Sequence, residues 1–310
     1  MGLYAVTGAA GFIGSHLVDA LLAAGHGVRG LDDFSTGRPE NLDPRCPVLH
    51  ADVADPAAVR RLMQGVDGCF HLAAQPSVIR TNEDWLGTHR TNQTGTVSVL
   101  ETARACGRLP VVYASSAAVY GDLGHRPARE DVWPRPCTAY GADKLGSELH
   151  AAVAWSVHGV PTIGLRFFTV YGLRQSPCSP YSGVISIFTR RIAEGALITV
   201  HGDGQQVRDF IHVTDVVTHL LAGMRKLEAS PGAAVVNVCT GRGTSLMDLI
   251  ATLGHVHGRM PRVAYGSARQ GDIRYSVGDS DAATDLLGVY ARVSLIDGLA
   301  ALAESEPAAA

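Results

Sequence analysis

Apolar and polar positions follow two alternating rhythms through the first half of the chain. Short apolar runs at Leu3–Thr7, Gly27–Leu31, Val48–Ala51, Gly68–Leu72, Pro110–Ala114 and Pro161–Phe168 predict strands. Between them apolar residues recur at helical spacing. Ile13, Leu17, Leu21 and Leu22 mark a helix over Phe12–Ala24, stopped by Gly25, and similar patterns lie at about 55–64, 88–106 and 138–158. Strands alternating with helices predict an α/β fold, a Rossmann-like doubly wound parallel sheet with helices on both faces. Its ligand belongs at the carboxyl ends of the strands.

After Gly172 the texture changes. Leu173–Gly183 is rich in Pro, Ser and Gly and reads as a loop. A helix is expected at about 184–195, a strand at 197–201, a turn at Gly202–Gln206, and within His212–Leu227 a strand end followed by a helix from near Thr214. A strand at Val235–Val238 and a helix over Ser245–His255, capped by Thr244, follow. This stretch is too irregular and too short for a second doubly wound sheet. We expect one unit over 1–172 and a smaller α/β substrate unit over 173–310, with some chain returning to the first. The tail Glu304–Ala310 is expected to fray.

Composition narrows the class. The chain has 310 residues, 46% hydrophobic and 18% charged, as in an ordinary globular enzyme. A net charge of −3 gives no support for nucleic acid as the partner. No run of about 18 apolar residues occurs, so no membrane span is expected. The N-terminus lacks a basic and then apolar leader, which points to the cytoplasm. The six cysteines, at 46, 69, 106, 137, 178 and 239, show no CxxC spacing and read as reduced thiols. His255 with His257, and His212 with His219, lack acidic or sulfur neighbours at ligand spacing, so no metal site is expected.

The candidate chemistry sits at the ends of the predicted strands. Gly8, Gly11 and Gly14 lie between a strand and a helix opened by Phe12 and Ile13. Glycines let a backbone approach a pyrophosphate, and a helix N-terminus favours its charge. Asp32 closes the second strand, placed for the hydroxyls of an adenosine ribose. A carboxylate there repels a 2′-phosphate and so favours NAD over NADP. Asp33 is an alternative acid, and Ser35, Thr36 and Gly37 complete the turn. Asp52 and Val53, after the third strand, are within reach of an adenine. Leu72, Ala73 and Ala74 leave room for the cofactor. Asn92 stands inside a helical pattern, where its propensity is poor; it either bonds backbone or cofactor, or is merely exposed.

Tyr140 and Lys144 lie four apart, on one face of a helix. An ammonium within a few ångströms lowers an acid's pKa by roughly one to three units. The pair is expected to supply a partly ionised phenol, a base for an alcohol proton. Ser115 and Ser116 end the fifth strand, where a hydroxyl bonds both that alcohol and the tyrosine. Tyr120 and Tyr171 are expected to pack.

Together Gly8–Gly14, Ser116 within Ala114–Gly121, Tyr140 with Lys144, and Leu165–Gly172 resemble the extended short-chain dehydrogenase/reductases. More narrowly, the chain is similar to NAD-dependent nucleotide-sugar epimerases of the UDP-glucose 4-epimerase type, from residue 3 to about 290. The resemblance implies NAD contacts from Asp32, Asp52, Val53, Ala73, Asn92, Tyr140, Lys144 and Phe168. It implies Ser116 and Tyr140 as catalytic hydroxyl and base, and Thr199, Val200 and His201 along the uracil. Val184 joins the substrate contacts, Arg208 and Arg269 hold the diphosphate, and Asp272 the uridine ribose. Guanidinium forks suit phosphate oxygens. The implied reaction oxidises C4 of a UDP-sugar to a transient ketone and returns the hydride to the other face. The helices near 88–106 and 138–158 are expected to pair in a homodimer, as in the family.

Two departures bear on the sugar. Thr169 stands where the family usually has Asn, as in members acting on UDP-glucuronic acid. Those members often have an arginine where this chain has Ser176, and the loop Arg174–Gly183 resembles members using neutral hexoses or N-acetylhexosamines. Arg80, Arg90, Arg174 or Arg191 is then left to meet a carboxylate. UDP-glucuronic acid is slightly preferred, with UDP-glucose or UDP-N-acetylglucosamine as the alternative. A 4,6-dehydratase needs an acid and a base where Ala117 and Ala118 stand. A UDP-glucuronate decarboxylase shares the ketone intermediate and stays open. A non-catalytic NAD-binding regulator has no use for Ser116, Tyr140 and Lys144 together.

Overall fold

The computed structural model describes residues 1–76, 83–176, 183–268 and 273–305. Seven strands form a parallel sheet: β1 (Leu3–Thr7), β2 (Gly27–Asp32), β3 (Val48–His50), β4 (Gly68–His71), β5 (Val111–Ser116), β6 (Thr162–Phe167) and β10 (Ala233–Val238). Their order is β10-β6-β5-β4-β1-β2-β3. The chain builds outward from β1 in one direction, then returns to build from β4 in the other. That reversal opens a crevice at the carboxyl ends of β1 and β4.

Period-two alternation divides the core. Tyr4, Val6, Val112, Ile163 and Leu165 pack with Leu17, Val18 and Leu21 of α1 (Phe12–Ala23) and Val216, Leu220 and Met224 of α7 (Val213–Ala229). Ala5, Cys69, Val111 and Tyr113 face the opposite way. They meet α2 (Pro56–Met63), α4 (Gly95–Ala105) and α5 (Ala139–His158). Each fully buried aliphatic side chain contributes roughly 1.5–3 kcal/mol.

The remaining strands make two small sheets. β9 (Val207–His212) pairs antiparallel with β11 (Gly243–Ser245) and parallel with β7 (Thr169–Tyr171) and β13 (Tyr275–Ser276). β8 (Leu197–His201) pairs with β12 (Arg262–Gly266). A separate core forms where Ile185, Phe188 and Ile192 of α6 (Val184–Ala193) meet Leu249, Ile250 and Leu253 of α8 (Leu246–Val256) and Leu299 of α10 (Leu295–Ser305). α7, β10 and α9 (Asp281–Leu287) lie late in the chain yet belong to the large sheet and its cover.

The differences from the sequence expectations are local. The helix expected over 88–106 begins earlier, as α3 (Trp85–His89), and passes through a π-helical turn at Arg90–Thr94 before α4. Ser245, not Thr244, caps α8: its hydroxyl accepts the Asp248 N–H at 3.1 Å and donates to the Asp248 carboxylate at 2.6 Å. Thr244 is held in β11, opposite Arg208. Strands β7, β11, β12 and β13 and helices α9 and α10 were not anticipated; most are short elements defined by their partners. Among the described residues no helix is long and apolar enough to cross a membrane.

Candidate active site

Gly8 follows β1 at φ +69, and a Cβ there would lie 2.8 Å from the Ala73 nitrogen. A Cβ on Gly14 would lie 2.0 Å from the Gly8 carbonyl oxygen. Both positions therefore require glycine. Gly11 is the N-cap of α1, which opens with Phe12 and Ile13, and has no side chain to fill the approach. Asp32 is buried, and its carboxylate accepts N–H bonds from Ala10 at 2.8 Å and Phe34 at 2.9 Å. Burial raises its pKa, and the backbone bonds oppose that rise. A Cβ on Gly37 would lie 2.7 Å from Asp32 Oδ1. Asp33 is taken by the amide of Ser35 at 2.9 Å and its hydroxyl at 2.7 Å.

Gly8, Asp32, Asp33, Ser35, Thr36, Val53, Leu72, Ala73 and Ala74 line one groove. Bare backbone at one end, a buried carboxylate along it and small residues between them suit a dinucleotide. Asp52 is turned partly aside: it accepts from the Ala54 amide at 2.8 Å and pairs with Arg90 at 3.1 Å. Phe168 is buried in a separate cluster with Tyr120 and Cys239.

Asn92 resolves to backbone bonding. It accepts the Gln75 N–H at 2.7 Å and donates to the Gln75 carbonyl at 3.3 Å, from within the π-helical turn. Such turns recur at functional sites. Beneath it Thr7 Oγ1 accepts N–H bonds from Leu72 and Ala73, so its own proton goes to His71 Nδ1 at 2.8 Å. His71 Nε2 then donates to Thr96 Oγ1 at 3.1 Å, and Thr96 to the Asn92 carbonyl at 2.7 Å. Burial, with the Lys144 charge, lowers the His71 pKa to about 3.

Tyr140 and Lys144 lie in the first turns of α5, whose N-cap Thr138 accepts the Gly141 N–H at 3.0 Å. One expectation is corrected here. Burial pushes the Tyr140 phenol up to about 12, and the opposing influence is a hydrogen bond from Ser116 rather than the ammonium. Lys144 Nζ lies 5.8 Å from the Tyr140 ring centre and donates to the Ala114 carbonyl at 2.8 Å. Burial lowers Lys144 to about 8, while Asp143 and Glu148 act in the opposite direction. The two serines separate. Ser116 meets Tyr140, whereas Ser115 is buried and donates to Glu148. Tyr120 and Tyr171 are buried, as expected.

Glu148 and Arg166 were missed by sequence reasoning. They form a buried bidentate pair, with Arg166 Nε and Nη2 donating at 2.9 and 2.7 Å. Removing one partner of such a pair costs about 3–5 kcal/mol. The signal was an arginine inside an otherwise apolar strand, and an acid four residues after Lys144.

A second cavity, of about 450 Å³, is lined by Thr169, Val184, Arg191, Thr199, Val200, His201 and Arg208. This size suits a small-molecule ligand. Arg269 and Asp272 lie outside the described residues, as does Arg80. Arg90 is paired with Asp52, and Arg174 with Asp19 at 2.7 Å. Ser176 accepts from Arg38 at 3.3 Å. Of the arginines considered for a carboxylate, Arg191 is the one among the described residues that shares the cavity of Thr169.

Residues 4–239 match the family model described as the NAD dependent epimerase/dehydratase family. The chain is 37% identical over 306 residues to a UDP-glucose 4-epimerase of Mycolicibacterium smegmatis, covering 96% of each. Its structure superposes on a UDP-glucose 4-epimerase from Thermotoga maritima, solved with UDP-glucose, with a TM-score of 0.93, 34% identity and 97% of both chains covered. It also resembles a UDP-glucuronic acid 4-epimerase from Bacillus cereus, solved with UDP-glucuronic acid and NAD, with a TM-score of 0.89, 30% identity and 97% and 98% of the chains covered.

Proposed function

The chain belongs to the NAD dependent epimerase/dehydratase family and is an enzyme with NAD as its cofactor, and from that premise we propose that it is a UDP-sugar 4-epimerase. The observation that carries this reading is the grouping of Ser116, at the carboxyl end of β5, with Tyr140 and Lys144 on α5: Ser116 acts on the Tyr140 phenol, and Lys144 Nζ donates to the Ala114 carbonyl two residues before Ser116 at 2.8 Å. Bound NAD supplies the acceptor for the C4 hydride and gives it back. Tyr140, in its phenolate form, takes the proton of the C4 hydroxyl, with Ser116 bridging the two oxygens and working against the rise that burial imposes on the phenol. Lys144, fixed by the Ala114 carbonyl, keeps a positive charge behind them. When the ketone presents its other face, Tyr140 returns the proton to O4. Gly8, Asp32 and the small residues after β4 hold the dinucleotide. Thr199, Val200, His201 and Arg208 hold the nucleotide while the sugar turns. Binding energy remote from C4 thereby steadies a mobile intermediate.

UDP-glucose interconverting with UDP-galactose is the favoured substrate pair. Arg90 and Arg174 are committed to aspartates, and Ser176 replaces the arginine that would meet a carboxylate. A second reading, UDP-glucuronic acid, is supported by Thr169 and Arg191 lining one cavity, since a carboxylate needs charge-assisted donors. Parallel incubation with UDP-glucose, UDP-N-acetylglucosamine and UDP-glucuronic acid, with product analysis, tests both. A tenfold kcat/KM preference, about 1.4 kcal/mol, assigns the sugar. A UDP-pentose as main product would make the protein a decarboxylase, and no epimer from any of the three would sink the reading.

The protein is proposed to act as a cytoplasmic homodimer. The outer faces of α4 and α5 expose Val97, Leu149, Val153 and Val157, an apolar strip a partner copy would cover. Cys46, Cys69, Cys106, Cys137 and Cys239 are free thiols, in keeping with a reducing compartment.

A further inference from the structure

Glu148 is a buried charge that the proposed chemistry leaves unused. It stands one helical turn beyond Lys144 and two beyond Tyr140 on α5. Its Oε1 accepts from the Ser115 hydroxyl and from Arg166 Nε at 2.9 Å, and its Oε2 from Arg166 Nη2 at 2.7 Å. Arg166 Nη1 donates to the Tyr120 hydroxyl at 2.8 Å, and the guanidinium carbon lies 4.7 Å from that ring's centre. Tyr120 donates to Asn237 Oδ1 at 2.7 Å. The bonds therefore run from α5 through β5 and β6 to β10. Lys144 adds a second tether to β5, at the Ala114 carbonyl. The two tethers fall on consecutive residues, Ala114 and Ser115, and the next residue is Ser116.

We propose that Glu148, paired with Arg166, is a positioning residue: it holds the end of β5 against α5, which sets Ser116 opposite Tyr140, and it balances the ammonium of Lys144. This rests on reading Ser116, Tyr140 and Lys144 as the catalytic groups. The charged and titratable groups bearing on Lys144 are Tyr140, Asp143 and Glu148 on α5 and His71 on β4, while Tyr113 on β5 and Arg166 on β6 act on Glu148. Asp143 bonds His89 of α3 at 2.6 Å, and Arg90 is paired with Asp52. Glu148 and Asp143 support the Lys144 charge against burial. Without the Glu148 charge, Lys144 loses its proton at lower pH, and the uncompensated Arg166 acts in the same direction.

The chain has two lysines, Lys144 and Lys226. Nitrogen-labelled lysine side chains therefore give two NMR signals, which Lys226→Arg assigns. Full-length protein with NAD is titrated as wild type, Glu148→Gln and Ser115→Ala, and kcat and KM are measured for each. In Glu148→Gln, Lys144 is expected to titrate about one unit lower, with kcat down about tenfold or more and KM little changed. Ser115→Ala keeps both charges. Its kcat is expected to fall several-fold while Lys144 titrates where it did. A purely structural role would lower Tm in both variants and leave the titration and kcat in place, which overturns the proposal. If Glu148→Gln does not fold, Ser115→Ala decides: a lower kcat at unchanged KM supports positioning, and an unchanged kcat refutes it. The titration needs no turnover. A wild type that epimerises no UDP-sugar would thus sink the proposed function, while the Lys144 shift in Glu148→Gln still tests this inference.

Discussion

Lys144 donates its 2.8 Å hydrogen bond to the Ala114 carbonyl, not to Tyr140, whose ring centre lies 5.8 Å from the ammonium. The lysine thus acts on the tyrosine by holding the strand that carries Ser116. Burial raises the phenol to about 12, against the opposing influence of Ser116, and the ammonium adds nothing direct.

Tyr140→Phe is expected to lower epimerisation by roughly 10²–10⁴, the usual worth of general acid–base help, with UDP-sugar affinity within a few-fold. Steady-state rates and calorimetric titration check it. More than about a tenth of wild-type turnover would remove the phenol from the mechanism.

The Asp32 carboxylate is expected to govern cofactor retention and choice. Denatured wild-type protein should release NAD and not NADP. Asp32→Asn should bind NAD about tenfold more weakly or worse, because hydrogen bonds to a charged group contribute about 1.5–3 kcal/mol. Chromatography of released nucleotide and equilibrium dialysis read both outcomes, and undiminished retention would place the ribose elsewhere.

Acid sensitivity is expected from His71. The unfolded chain takes a proton on this residue near 6.5, while the folded protein refuses it until about 3. Between those values the unfolded state binds more protons, so stability falls as pH falls, by up to about 1.4 kcal/mol per unit. This loss is absent above 6.5 and complete below about 3. Denaturation of wild type and His71→Asn from pH 7 to 4 should show a flatter dependence in the variant; parallel curves would contradict the assignment.

Charging the exposed strip should split the proposed dimer. Leu149→Glu with Val153→Glu places carboxylates on the outer face of α5 without touching the side chains that face the sheet. Sedimentation should show a dimer in the wild type and a monomer in the variant. A monomeric wild type would refute the pairing.

Much of this was legible in advance because the large sheet is written in local patterns. Leu3–Thr7 and Gly68–His71 are short runs between turn residues, and Phe12–Ala23 has helical spacing ended by glycine. The rest depends on partners distant in sequence. Tyr275–Ser276 is a strand because Val207 and Arg208 lie beside it. The π-helical turn at Arg90–Thr94 holds Asn92, whose side chain reaches Gln75. Ser115 and Ser116 are identical in type and adjacent, so composition gives no hint which one meets Tyr140. Alternation turns Ser115, like Val111 and Tyr113, into the contact with α5, where Glu148 takes it, and leaves Ser116 at the very end of the strand.

Phe168 alone separates β6 from β7, and nothing separates β9 from α7. At these two crossings between the large sheet and the small one the chain has no slack; the crossing from β10 to β11 has four residues, 239–242. A hinge needs a few residues free to absorb large changes in φ and ψ, and the first two junctions provide none. At these two points the strands that line one cavity, β7 and β9, adjoin the large sheet and its cover with at most one residue between. The rotation that epimerisation demands is then borne by the sugar, within the space the cavity leaves it. A cut after residue 172 would not release a working half: it would strip α7 and β10 from the sheet and leave Val112, Ile163 and Leu165 facing water.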